Sequence, residues 1–133
     1  MNSTNIVTVF LTHEGKYLIL KRSNKVRTMK NLWAGISGII EGDEDPQYRA
    51  KREVLEETGI GEESLTLLRS EREMKVESQY ANHEWLIHPF LFSVRDPKIV
   101  LNWENQDYRW IVPSELSEYE TVPSLDRVLD CLL

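Results

Sequence analysis

Glu53, Glu56 and Glu57 stand three and four residues apart in REVLEETGI, residues 52–60. On a helix that spacing puts both later carboxylates beside the first, so three like charges share one patch. Glu is a good helix former, and Arg49–Glu53 and Arg52–Glu56 have the spacing of ion pairs. Yet both pairs place the base N-terminal to the acid, the poorer orientation. Acids near a helix C-terminus are disfavoured by about 0.3–1 kcal/mol each, and all three lie in the last two turns of the expected helix. A local rule broken in a cluster marks a functional site. A hard divalent cation removes the conflict, because carboxylate oxygens suit Mg²⁺, Mn²⁺ or Ca²⁺. No HxxxH or CxxC spacing points to structural zinc. Mg²⁺ takes one or two carboxylates and keeps the rest of its shell for water and substrate phosphates. The chemistry expected is metal-assisted attack on a phosphate. Upstream, KRSNKVRTMK (residues 21–30) carries five basic residues and no acid. It reads as a solvated loop or as an electropositive arm over an anionic ligand, with Arg22, Lys25 and Arg27 as the phosphate contacts.

Several elements must position these groups. Asp45 suits an N-cap, Pro46 the first helical position and Gly59 the left-handed residue past the C-terminus, which predicts a helix from Pro46 to Thr58. Ile6–Leu11 and Tyr17–Leu20 read as a hairpin across THEGK. LWAGISGII reads as one buried strand, with Gly35 and Gly38 allowing close backbone approach. Leu65–Leu68, Met74–Val76, Glu84–Val94, Ile99–Leu101 and Tyr108–Val112 read as strands, the third an edge or bulged strand at Pro89. Pro113–Leu116 suits a turn of helix and Ser124–Leu133 a C-terminal helix. The order gives an α+β fold with a mixed or antiparallel sheet.

The chain has 133 residues, 41% hydrophobic and 29% charged, which suits a single domain spanning residues 1–133. A net charge of −6 argues against binding a nucleic-acid polymer. The single cysteine, Cys131, has no internal partner and suits a reducing interior. The N-terminal residues lack the pattern of a signal peptide, and no apolar run reaches membrane-spanning length. A cytoplasmic protein is expected.

Gly38 is followed after five residues by Glu44, and after seven more by Arg52-Glu53-Val54-Leu55-Glu56-Glu57-Thr58-Gly59-Ile60. This pattern resembles the Nudix box at every defining position, a coincidence on the order of 10⁻⁹ per start position. The resemblance to the Nudix hydrolase family implies an α/β/α sandwich with a mixed β-sheet between helices. It implies hydrolysis of a nucleoside diphosphate linked to another moiety, with Mg²⁺ or Mn²⁺ as cofactor and a small nucleotide or diphosphate as substrate. Carried over by position, Glu53, Glu56 and Glu57 would bind metal, with the Ser37 carbonyl as a further ligand and Glu44 a nearby helper. Glu53 and Glu57 would be catalytic, and Arg52 would orient the carboxylates by charge-assisted hydrogen bonds. A bound water would attack one phosphorus in line. The general base is either a box Glu or a later acid, with Glu104 preferred and Asp107 and Glu84 behind it.

Histidines 13 and 83 read as turn residues and His88 as a packed or edge-strand residue. The four tryptophans, Trp33, Trp85, Trp103 and Trp110, read mostly as core, although one could stack on a base. Residues 74–78, MKVES, carry neither the Pro of ADP-ribose hydrolases nor the Tyr of dinucleoside polyphosphate hydrolases. A modified nucleoside triphosphate, ADP-ribose, a nucleotide sugar and a dinucleoside polyphosphate therefore all stay open as substrates, as does a homodimer. An isopentenyl diphosphate isomerase would need a well-placed Cys, which Cys131 is not. A non-catalytic nucleotide sensor on the same fold is the alternative, but sensors usually lose box carboxylates and none is missing here.

Overall fold

The computed structural model describes residues 2–77 and 82–133. Ser78, the last residue read for a substrate marker, lies outside them. Strand β1 (Asn2–His13) turns at Glu14 and Gly15, whose φ values of 51° and 79° are those of a tight two-residue hairpin, into β2 (Lys16–Arg22). The two strands pair only beside the turn, at Thr12–Tyr17 and His13–Lys16. Beyond it they splay, and residues 33–39 fill the wedge.

That filling corrects the expected strand LWAGISGII. It is two short strands, β3 (Trp33–Ala34) on β2 and β4 (Ile36–Ile39) on β1. Gly35 is the crossing point, where a Cβ would stand 3.1 Å from both Thr8 Cγ2 and the Val9 carbonyl. A continuous strand has one neighbour per side, and here the neighbour changes midway.

Helix α1 (Pro46–Thr58) ends as predicted, with Gly59 left-handed at φ 78° and its N–H bonded to the Leu55 carbonyl. Asp45 stands at the N-cap, but its side chain makes no capping bond. Strands β5 (Leu65–Ser70) and β6 (Met74–Glu77) both lie along β7 (His83–Val94), which also runs parallel to β1 over its whole length. Strand β7 is therefore interior, a correction to the edge expected from Pro89. Proline is tolerated because it falls between the end of β6 pairing at Ile87 and the start of β5 pairing at Phe90. His83 is the first residue of this strand rather than a turn residue.

Strand β8 (Asn105–Ile111) closes the far side of β2. The expected strand Ile99–Leu101 is an irregular segment instead. It caps α1, with the Val100 N–H on the Thr58 carbonyl at 2.9 Å and Ile99 and Leu101 against the core. A short 3-10 turn (Pro113–Glu118) leads to helix α2 (Leu125–Leu132).

Alternation along the strands sends residues to opposite faces. Val7, Val9, Leu18, Leu20 and Phe92 pack against Ala50 and Val54 of α1. Phe10, Ile19, Leu91 and Ile111 pack against Leu125, Val128, Leu129 and Leu132 of α2. One mixed sheet between a helix on each face is the α+β sandwich anticipated from the sequence. Among the described residues no helix is long and apolar enough to cross a membrane.

Candidate active site

Ala50 and Val54 anchor α1 in the core with no exposure, and this fixes the helix rotation. Glu53 and Glu57, three residues beyond each anchor, are consequently carried inward, with 7% and 4% exposure. Glu56 stays at the surface. The carboxyl of Glu53 lies directly on Gly38 of β4, where any Cβ would overlap it. The Gly at the head of the motif is thus needed for room.

Burial and company hold both acids above the usual carboxylate range. For Glu53 desolvation dominates, followed by the charge of Glu56, with the neighbouring Glu57 carboxyl and the Arg49 hydrogen bond opposing. For Glu57 desolvation again comes first, then the charges of Glu104 and Glu53, and the shift is larger. Asn105 opposes it by donating from Nδ2 to Oε1 at 3.2 Å. The second oxygen, Oε2, is buried with no hydrogen-bond partner among the described residues.

Arg49 organises the other side. Its Nε and Nη2 donate to the two oxygens of Glu44 at 2.9 and 2.6 Å, and Nη1 donates to Glu53 at 3.3 Å. These bonds pull Glu44 below the usual carboxylate range, and Glu44 in turn accepts the Glu41 N–H at 2.8 Å. The loop before α1 is therefore tied to the helix by a two-pronged ion pair. From the sequence an orienting part is expected of Arg52. Arg52 itself is half exposed and, among the described residues, bonds the Tyr48 hydroxyl and, at 3.4 Å, Glu56.

A cavity of about 450 Å³ opens beside the acids. Arg22, Ser37, Gly38, Glu53, Glu56 and Glu104 line one end. Ile6, Val76, Trp85, Ile87, Leu125 and Val128 line the other, an apolar end reaching α2. Arg22 faces it from the end of β2, its guanidinium fixed by two bonds to the Thr28 carbonyl at 3.3 and 3.0 Å. Burial lowers its pKa, and the charges of Glu57 and Glu104 resist that. Glu104 sits in the turn before β8, which is pinned to β2 by Ser23: its N–H donates to the Glu104 carbonyl and its hydroxyl to that of Trp103, both at 2.8 Å.

Other expected residues lie elsewhere. Lys25 and Arg27 are exposed on the loop and do not line the cavity. Asp107 pairs with Arg109, and Glu84 accepts from Ser3. Trp103, expected in the core, is 61% exposed, because its turn projects beyond the sheet. Trp33 is buried, and Trp85 and Trp110 are half-buried against the α2-side and α1-side cores. Sequence reasoning gave Arg49 only as half of an ion pair and missed Asn105. The i,i+4 spacing signalled the first, whereas nothing local signals the second.

Whether these groups suit a cation turns on the donor set. Among the described residues no three His, Cys, Asp or Glu side chains form a cage that could hold an ion unaided. Mg²⁺ does not need one, since it keeps several waters and takes one or two carboxylates with substrate phosphates. The buried Glu57 oxygen without a donor, next to Glu53 at the cavity wall, is of the oxygen type that suits a hard cation.

The model of the NUDIX domain matches residues 2–131. A nucleoside triphosphatase NudI from Salmonella agona is 28% identical over 128 residues, covering 90% of this chain and 89% of the relative. The MutT protein of Methanosarcina mazei Go1 superposes with a TM-score of 0.79 at 22% identity, over 98% of this chain and 93% of that one. A C. elegans Ap4A hydrolase gives 0.75 at 19% identity, with the same coverage.

Proposed function

Because the chain belongs to the Nudix family of hydrolases, we propose that it cleaves the pyrophosphate bond of a nucleoside triphosphate, releasing the monophosphate and pyrophosphate. The observation that carries this reading is the cavity that joins two unlike ends. One end presents the buried Glu53, with Glu56, Glu104 and a fixed Arg22, and the other is apolar with Trp85 in its wall. Its volume of about 450 Å³ falls in the ordinary range for small-molecule pockets. Relatives named as nucleoside triphosphatases, matched across 89% of their length, support a triphosphate over the other linked diphosphates.

The residues divide the work as follows. Arg22, held by Thr28, meets the phosphates as a charge already in place, which spares the ordering cost of a free side chain. Lys25 and Arg27, out on the loop, contribute field rather than contact. Glu53, Glu56 and Glu57, with the Ser37 carbonyl, would hold Mg²⁺ or Mn²⁺. That ion, when bound, supplies neutralisation of phosphate charge and a lowered pKa for a coordinated water. Glu104 lines the cavity near the acids of α1 and accepts the proton of the attacking water, with Asn102 Nδ2 holding its Oε1 at 3.2 Å. Arg49 keeps Glu53 in place. The apolar end takes the nucleoside, where the Trp85 face can stack on a base. The test is turnover of the deoxynucleoside triphosphates with Mg²⁺, comparing wild type with Glu57→Gln. Monophosphate and pyrophosphate from wild type alone are expected. Orthophosphate as the first product, or equal rates in both proteins, would refute the reading.

A further inference from the structure

Asn105 faces the wrong way for its strand, and the reason lies in a bulge. Along β8, Ile111 belongs to the α2-side core, and the Arg109 guanidinium lies 5.7 Å from the ring of Trp33 in that same core. Strict alternation would put residues 107 and 105 on that face too. The register with β2 does not run through, however. Lys21 stands opposite Asp107 while Arg22 stands opposite Asn105, so β8 carries one extra residue, Gln106. An extra residue breaks the alternation and re-aims the side chain beyond it. Asn105 is turned to the α1 side, where it is 7% exposed and its amide meets Glu57 Oε1 at 3.2 Å. Its backbone is held on the N-terminal side. Its N–H reaches the Asn102 carbonyl at 3.4 Å, and Ser23 bonds the carbonyls of Glu104 and Trp103.

We propose that Asn105 is a positioning residue for the Nudix carboxylates: its amide sets the rotation of the Glu57 carboxyl, occupying Oε1 and leaving Oε2 as the free donor atom. A buried carboxyl without such a partner can rotate about its last torsion, a broad and shallow one. A donor mounted on a bulge between two pinned strands removes that freedom, and the outer-shell partner of a metal-binding carboxylate acts in this way. The same bulge sets Arg22 opposite Asn105, so the phosphate-facing cation and the positioning amide are registered by one irregularity. This inference rests on the proposed role of Glu57.

The experiment compares wild type, Asn105→Leu and Glu57→Gln in three measurements. These are turnover of mixed deoxynucleoside triphosphates with Mg²⁺, binding of Mn²⁺ to the nucleotide-free protein, and thermal melting. Asn105→Leu keeps the buried volume and removes the donor. It is expected to lower kcat and to weaken Mn²⁺ binding by about 10–100-fold each, with KM unchanged and melting within a few degrees of wild type. Wild-type kcat and Mn²⁺ affinity in Asn105→Leu, whatever its melting temperature, would overturn the inference while Glu57→Gln stays inactive. Full activity in Glu57→Gln would instead overturn the role of Glu57 on which it rests. If Asn105→Leu does not fold, Asn105→Asp keeps the shape and sets an acceptor where the donor was. The same losses are expected there, and wild-type behaviour would again overturn the inference.

Discussion

A carboxylate that is 4% exposed and close to two other acids is more costly to ionise folded than unfolded, and Glu57 is in that position. Its folded pKa is raised, so the metal-free fold binds a proton more tightly than the unfolded chain. Stability from this group is therefore fully present below the ordinary carboxylate range and is lost as pH rises through the raised folded value. Metal-free wild type should melt higher at mildly acidic pH than at pH 8, and Glu57→Gln should flatten that slope. An unchanged slope in the variant would contradict the assignment. At neutral pH Glu57→Gln should melt at or above wild type, while its turnover drops by more than the ~100-fold that loss of an outer-shell partner costs. Glu53, Glu56 and Glu57 were legible from spacing and helix polarity alone, because both are local properties. Asn105 was not, since it reaches Glu57 across 48 residues by way of a strand irregularity.

Helix α1 and the short strands β3 and β4 do most to place the acids. Helix α1 could be bounded from its own residues, Pro46 at the start and Gly59 at the end, because capping depends on near neighbours. The split of residues 33–39 into β3 and β4 could not, because it is set by the splay of β1 from β2, a pairing between distant segments. The split leaves Gly38 under Glu53. Gly38→Ala should push that carboxyl aside at a cost of about 1–3 kcal/mol, the usual range for overpacking, and lower kcat. Denaturant unfolding and steady-state kinetics check both, and wild-type values would remove Gly38 from the site. Arg49 ties the preceding loop to α1 through Glu44 and Glu53, so Arg49→Met should cost about 1–3 kcal/mol by stranding a buried acid. Arg52→Met, on the exposed side, should cost much less. The reverse order in thermal or denaturant unfolding would restore Arg52 to the orienting role expected from its place in the motif.

At the scale of the whole molecule, the cavity exists because the two faces of the sheet meet at its splayed end. Acids arrive there from the α1 side and apolar walls from the α2 side. Sequence pattern supplied the sandwich and the Nudix motif, but the downstream acid depended on which loops converge. Glu104 lines the cavity, whereas Asp107 and Glu84 are engaged by Arg109 and Ser3 away from it. Glu104→Gln should lower kcat by about 10²–10⁴-fold as expected for a general base, with Asp107→Asn and Glu84→Gln near wild type. In the proposed function the acids of the Nudix helix drive cleavage of a nucleoside triphosphate. The most direct measurement follows the four deoxynucleoside triphosphates with Mg²⁺ by phosphorus NMR, for wild type and Glu57→Gln in parallel. Monophosphate and pyrophosphate should accumulate with wild type and not with the variant. A folded wild type that binds Mn²⁺ yet leaves all four intact, or a variant that keeps pace with it, would contradict the account.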